Sequence, residues 1–156
     1  MPASEFLPFQ RAKFKTKLPR ERLYTVGHMW LRNSQDDIWQ VGLTRFALRM
    51  LGDPVELEFE SKADQPVETG QVVGWLEGFK AVTDLYTPMG GRFMGGNSIL
   101  DAEISTLNSS SYDRGWLFAV QGDPATDCLD VDGYASFLNA TVDRMLGEED
   151  KKEENA

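Results

Sequence analysis

The sequence predicts a mainly β protein of the α+β class: a small β-sandwich or flattened barrel of short strands, with short helices and a C-terminal helix packed outside. Three observations carry that prediction. From about residue 28 to residue 120, apolar residues alternate with a period of two in short runs broken by Gly, Pro, Asn and Asp. After Val120 the period lengthens to about 3.6 residues, and Val131, Tyr134, Ala135, Leu138, Val142 and Met145 fall on one helical face. The chain has 156 residues and is 41% hydrophobic, enough for one domain with a core of its own.

Residues 1–22 read as a basic N-terminal extension, with Arg11, Lys13, Lys15, Lys17, Arg20 and Arg22 against Glu5 and Glu21. We expect an arm packed loosely on the domain, with residues 1–20 dispensable for folding. Residues 23–146 form the domain. His28–Asn33 and Ile38–Gly42 pair as a hairpin around Ser34-Gln35-Asp36-Asp37. Thr44 caps a short helix over Arg45–Leu51, and Gly52 stops it. Val55, Leu57 and Phe59 alternate with Glu56, Glu58 and Glu60, a half-buried strand with an acidic outer face. Pro66–Gly70 is a turn. Val72–Leu76 and Val82–Tyr86 are strands joined by the tight tip Glu77-Gly78-Phe79-Lys80-Ala81. Arg92–Met94 and Trp116–Val120 complete the strands. Asp130 or Asp132 caps the last helix and Gly147 ends it. Residues 147–156 read as an acidic, disordered tail.

Several function classes are excluded or weakened. A formal net charge of −9 argues against nucleic acid, whose binders displace counterions with positive charge. One cysteine, Cys128, and one histidine, His28, leave no disulfide framework, metal site or histidine-based catalytic network. The lone cysteine fits the cytoplasm. No apolar run spans a bilayer, and the N-terminus lacks the apolar stretch of a secretory signal. Glu5, Glu21 and the scarcity of serine argue against a mitochondrial transit peptide.

Other motifs have plain structural readings. Gly90–Gly96 matches neither the dinucleotide nor the P-loop spacing, so its glycines serve turns. Asp130-Val131-Asp132-Gly133 lacks the remaining ligands of a calcium loop and suits helix capping. Ser109-Ser110-Ser111 has no paired base. Trp30, Trp39, Trp75 and Trp116 are accounted for by packing. Lys80 stands apart. A hairpin tip holds its four-carbon stem in water, and an acyl group in amide linkage there gains a long tether that raises its effective concentration at partner sites.

The surroundings of Lys80 carry a family resemblance. The stretch Glu77-Gly78-Phe79-Lys80-Ala81-Val82-Thr83-Asp84-Leu85-Tyr86-Thr87-Pro88 resembles the lipoylation hairpin of glycine-cleavage H proteins, Glu-x-x-Lys-Ala-x-x-Asp-Leu-Tyr-Ser-Pro. Tyr24-Thr25, His28-Met29-Trp30, Val41-Gly42-Leu43-Thr44, Leu51-Gly52-Asp53-Pro54-Val55 and Asn108…Tyr112…Gly115-Trp116 resemble further family motifs in the same order and register. Biotin carriers place Met beside the modified lysine, where this chain has Phe79 and Ala81.

The resemblance implies a lipoyl-domain-like sandwich and a non-catalytic carrier. Lipoate is held on Lys80, flanked by Glu77 and Asp84, and carries an aminomethyl group and reducing equivalents. The implied partners are glycine decarboxylase, the folate-dependent aminomethyltransferase, dihydrolipoyl dehydrogenase, and a lipoate ligase or lipoyl/octanoyl transferase. Two positions depart from the pattern: Met29 stands where the family has Glu, and Phe46 where it often has His or Tyr. Both make the cleft that receives the arm less polar. They leave open an H-like carrier for lipoyl relay or sulfur-compound oxidation. An unmodified β-sandwich adaptor is a further alternative, since fold does not fix function.

Overall fold

The computed structural model describes residues 5–154. The chain opens with a hairpin, β1 (Phe6–Arg11) and β2 (Phe14–Pro19). It continues through β3 (Leu23–Tyr24), β4 (Met29–Gln35), β5 (Ile38–Leu43), α1 (Arg45–Leu51), β6 (Pro54–Phe59), β7 (Pro66–Val67), β8 (Val72–Gly78), β9 (Val82–Tyr86) and β10 (Gly91–Gly96). The short helices α2 (Ile99–Ala102) and α3 (Thr106–Ser109), the strand β11 (Phe118–Gln121) and the long helix α4 (Val131–Glu154) complete it.

Six strands join in the order β3-β4-β5-β11-β10-β7, and three in the order β6-β8-β9. The two sheets enclose the main core, which includes Leu31, Val41, Leu76, Leu85, Phe93, Leu117 and Phe118. Alternation along β4 feeds two layers at once: Met29 and Leu31 enter that core, and Trp30 enters a second cluster with α4 and the N-terminal hairpin. Trp30 is fully buried, and its indole N–H donates to the carbonyls of Leu43 (3.1 Å) and Ser111 (3.0 Å). Gly42 makes room for the ring, since a Cβ there would sit 2.3 Å from it.

The predicted sandwich, the helix Arg45–Leu51 with its Thr44 cap and the C-terminal helix are all present. Thr44 Oγ1 accepts from the Ala47 N–H at 3.3 Å, and Gly52 follows the helix at φ +78°. Asp130, rather than Asp132, supplies the α4 cap, accepting from the Gly133 N–H at 2.7 Å. Two expectations are corrected. The basic extension is no loose arm: β1 and β2 pair over their whole length, and Phe9, Phe14 and Leu18 are buried against α4 and Phe46. Arg11 forms a 2.8 Å ion pair with Asp143 on that helix. Nor does α4 end at Gly147, since it continues to Glu154. The Glu and Lys residues that follow are good helix formers, and they offset the roughly 1 kcal/mol that one glycine costs. Residues 155–156 of the expected tail lie outside the described residues.

Candidate functional site

The tip between β8 and β9 is built on two glycines and three backbone hydrogen bonds. The Gly78 N–H donates to the Ala81 carbonyl at 2.8 Å and closes the turn. The Phe79 N–H donates to Asp53 O (3.0 Å), and the Lys80 N–H to Leu51 O (2.8 Å). The tip is thereby fastened to the segment leaving α1. A Cβ on Gly78 would lie 2.3 Å from Leu51 O, and one on Gly52 would lie 3.0 Å from the Lys80 N and Cγ atoms. Only glycine permits that approach at both positions. Lys80 itself is exposed, and its Nζ donates to the Arg49 carbonyl at 3.3 Å, at the C-terminal end of α1. A cation is favoured there by the helix dipole.

Glu77 and Asp84 share the hairpin with Lys80 without pairing to it. Glu77 is half-buried and lies opposite Val82 and Glu56; Asp84 is exposed and lies opposite Trp75. Among the described residues the ion pairs are Arg11–Asp143 and Arg32–Asp113, neither at this tip.

Two concavities flank α1. The first is a cleft of about 510 Å³ between the edge of β9 (Thr83–Tyr86) and an apolar wall made of Met29, Leu43, Phe46, Ala47, Met50 and Leu51. Met29 and Phe46 therefore line one surface, and the charged groups at its border are Asp84 and Asp127. His28 also borders it, at a left-handed backbone position (φ 65°) held by the His28 N–H to Thr25 O bond and the Thr44 N–H to His28 O bond. The His28 Nδ1 lies 2.8 Å from the Tyr134 hydroxyl, which lies 3.0 Å from Thr44 Oγ1. Burial, and secondarily the charge of Arg144, push the His28 pKa down to about 4. The imidazole is thus neutral at pH 7 and adds no charge to the cleft.

The second concavity lies on the other side of α1, bordered by Phe14, Lys15, Arg45, Arg49, Asp53, Phe79 and Lys80. Lys80 borders this groove rather than the cleft. Sequence reasoning missed the groove, because it missed the hairpin that forms one wall. The signal was present: Phe14, Thr16 and Leu18 alternate with Lys15 and Lys17, a strand pattern. It also missed the Tyr134 hydroxyl as the link between His28 and the α1 cap, which no local pattern announces.

Comparison with known proteins agrees with this architecture. The family model described as Glycine cleavage H-protein matches residues 22–135. A glycine cleavage system H protein from Coxiella burnetii (strain Dugway 5J108-111) is 33% identical over 127 residues, covering 80% of this chain and 97% of the relative. One from Streptomyces coelicolor is 35% identical, covering 78% and 98%. The crystal structure of a glycine cleavage system H protein from Mycobacterium marinum superposes with a TM-score of 0.68 at 28% identity, covering 76% of this chain and 97% of that one. The matched span contains the Lys80 hairpin, the cleft and α1, and on these grounds the chain belongs to the glycine cleavage H-protein family, whose members are lipoyl carriers and not catalysts.

Proposed function

We propose that this protein carries a lipoyl group in amide linkage on Lys80 and serves glycine cleavage. The observation that supports it best is the tip itself. A lysine is held at a fixed point by the Lys80 N–H to Leu51 O and Phe79 N–H to Asp53 O bonds, while its amine stays exposed. Acylation needs an accessible amine on a rigid mount, and a positioned mount is what gives a tether its high effective concentration. The residues present fit the group. Amide formation removes the charge on Nζ and leaves one N–H, which is enough for the single bond now made to Arg49 O.

When bound, the lipoyl group supplies the dithiol–disulfide chemistry and the attachment point for an aminomethyl group. The chain supplies the rest. Gly52 and Gly78 let the tip sit against α1, and Glu77 and Asp84 place carboxylates on either side of Lys80 for the modifying enzyme to read. The cleft wall of Met29, Leu43 and Phe46 receives the arm away from water. Residues 23–146 form the carrier unit, with the hairpin and the end of α4 as additions to it. The partners in this reading are glycine decarboxylase, the aminomethyltransferase, dihydrolipoyl dehydrogenase, and a lipoate ligase or lipoyl/octanoyl transferase. The location is the cytoplasm, which suits the free Cys128. The relatives' names favour glycine cleavage over lipoyl relay, sulfur-compound oxidation or an unmodified adaptor.

Co-expression with a lipoate ligase followed by digestion and mass spectrometry tests the assignment. Lipoyl mass is expected on the peptide containing Lys80 and absent from Lys80→Arg, which keeps the charge but removes the reactive amine. Lipoyl mass on another lysine, or on none, rejects it.

A further inference from the structure

The groove beside Lys80 has a charge opposite to that of the molecule. The chain carries a net charge of −9, yet Lys15, Arg45 and Arg49 border this groove against the single carboxylate of Asp53. None of the three cations is ion-paired with another described residue. Arg45 is held in place by donating to Asn108 O (2.9 Å) and Ser111 Oγ (3.0 Å), two neutral acceptors that leave its charge uncompensated. Arg49 lies over the Phe14 ring at 5.5 Å, so the hairpin orients it. At the rim stands Phe79, 82% exposed and next to Lys80. An exposed aromatic flanked by fixed arginines is the composition of an interface hot spot, not of an ordinary solvated surface.

We propose that this groove is a docking surface for an acidic face on an enzyme that works on the Lys80 arm. The matching face has an apolar socket for Phe79 rimmed by carboxylates that meet Lys15 and Arg49. Charge complementarity selects this occupant: the anionic surfaces typical of nucleic acid are repelled by the rest of the molecule, and a neutral peptide would leave the cations unmatched. The surface also orients the complex. Glu56 and Glu77 face each other across β6 and β8 and do not border the groove, so an acidic partner face that shifts off the groove onto this pair meets like charge. The hairpin that supplies Phe14 and Lys15 lies outside the family-matched span of residues 22–135, which makes the groove an addition to the shared carrier fold. The proposal rests on the reading of Lys80 as the arm's attachment point.

The test uses full-length carrier, lipoylated to completion with excess ligase and checked by intact mass. It compares wild type, Lys15→Glu/Arg49→Glu, Lys15→Gln/Arg49→Gln, Phe79→Ser and the remote control Lys62→Glu. For at least one of glycine decarboxylase, the aminomethyltransferase and dihydrolipoyl dehydrogenase, the double reversal should raise KM about tenfold with kcat within about twofold. The ionic-strength dependence should flatten. The neutral pair should move KM the same way by less, which covers a double reversal that folds poorly, and Lys62→Glu should change nothing. KM values within twofold for all three enzymes overturn the proposal. Binding of the unmodified protein to the same enzymes, by interferometry, separates it from the lipoyl reading. Lost affinity in the double reversal without any lipoyl group supports the surface whether or not Lys80 is the attachment point, which the peptide mass decides separately; unchanged affinity discards the surface.

Discussion

The two flanks of α1 have opposite chemistry, although one seven-residue helix separates them. On one side Phe46, Ala47, Met50 and Leu51 wall an apolar cleft against the edge of β9. On the other, Arg45 and Arg49 border a cationic groove that ends at Lys80. The difference teaches how a carrier divides its work. An arm must be sheltered from water by apolar surface, whereas protein partners are selected by charge and by an exposed anchor. The helical period turns Arg45 and Arg49 to one side and Phe46 and Met50 to the other, four residues apart in each pair. The tip meets α1 at its C-terminal end, where the arm proposed on Lys80 would lie between the two sides.

Phe14 belongs to the groove side yet stacks edge-on against Phe46 of the cleft side, with ring centroids 5.6 Å apart. Removing it should break the division most severely. Phe14→Ala is expected to cost about 3 kcal/mol, as for a buried aromatic, and to lower the melting temperature by roughly 6–12 °C. Calorimetry within about 2 °C of wild type would return the hairpin to the status of a loose arm.

The next effect concerns the cleft alone. An aminomethyl-loaded arm is cationic, and a cation entering an apolar wall needs a partner. Met29 is only 7% exposed in that wall and offers none. Loaded carrier should therefore lose ammonia and formaldehyde quickly when the aminomethyltransferase is withheld. Met29→Glu should slow that decay by an amount equivalent to at most ~1.5–3 kcal/mol, the range of a hydrogen bond to a charged group. Equal decay of the two proteins removes Met29 from the account of arm retention.

Smaller effects sharpen the role of the helix between the two surfaces. Thr44→Ala deletes the α1 cap and the partner of the Tyr134 hydroxyl, at an expected cost of about 1–2 kcal/mol in urea unfolding. Thr44→Ser should recover most of it. The last effect, seen only below about pH 6.5, is titration of His28. Its folded pKa lies near 4 against 6.5 when unfolded, so the unfolded state binds the extra proton between those values. Stability should fall as pH drops from about 6.5 to 4 and show no further contribution from this residue below that. Part of the effect is screened, because the ring borders an open cleft. His28→Gln should flatten that slope in thermal melts, and an unchanged slope assigns it to carboxylates elsewhere.

Much of this was legible in the sequence for identifiable reasons. The cap at Thr44, the stop at Gly52 and the apolar stripe of α4 are local signals, in which neighbours along the chain supply the donors, the φ angle and the periodic face. The Lys80 tip was legible because a turn flanked by two alternating runs leaves little choice of geometry. The hairpin at residues 6–19 is not legible in the sequence because its high charge conceals its alternation. Lys13, Lys15 and Lys17 suggested a solvated arm, while Phe9, Phe14 and Leu18 needed a surface to bury against that only the folded domain provides.

The sequence by itself thus determined most strands of the sandwich, the capped helix and the hairpin tip at Lys80, since each is announced by signals within a few residues. The tertiary structure alone decided which surfaces they share. Met29 and Met50 meet in one cleft, Lys15 and Arg49 in one groove, and His28, Tyr134 and Thr44 in one hydrogen-bonded chain. These residues are separated by 16 to 106 positions at their closest and furthest pairings, and packing between layers, rather than any local period, brings them together.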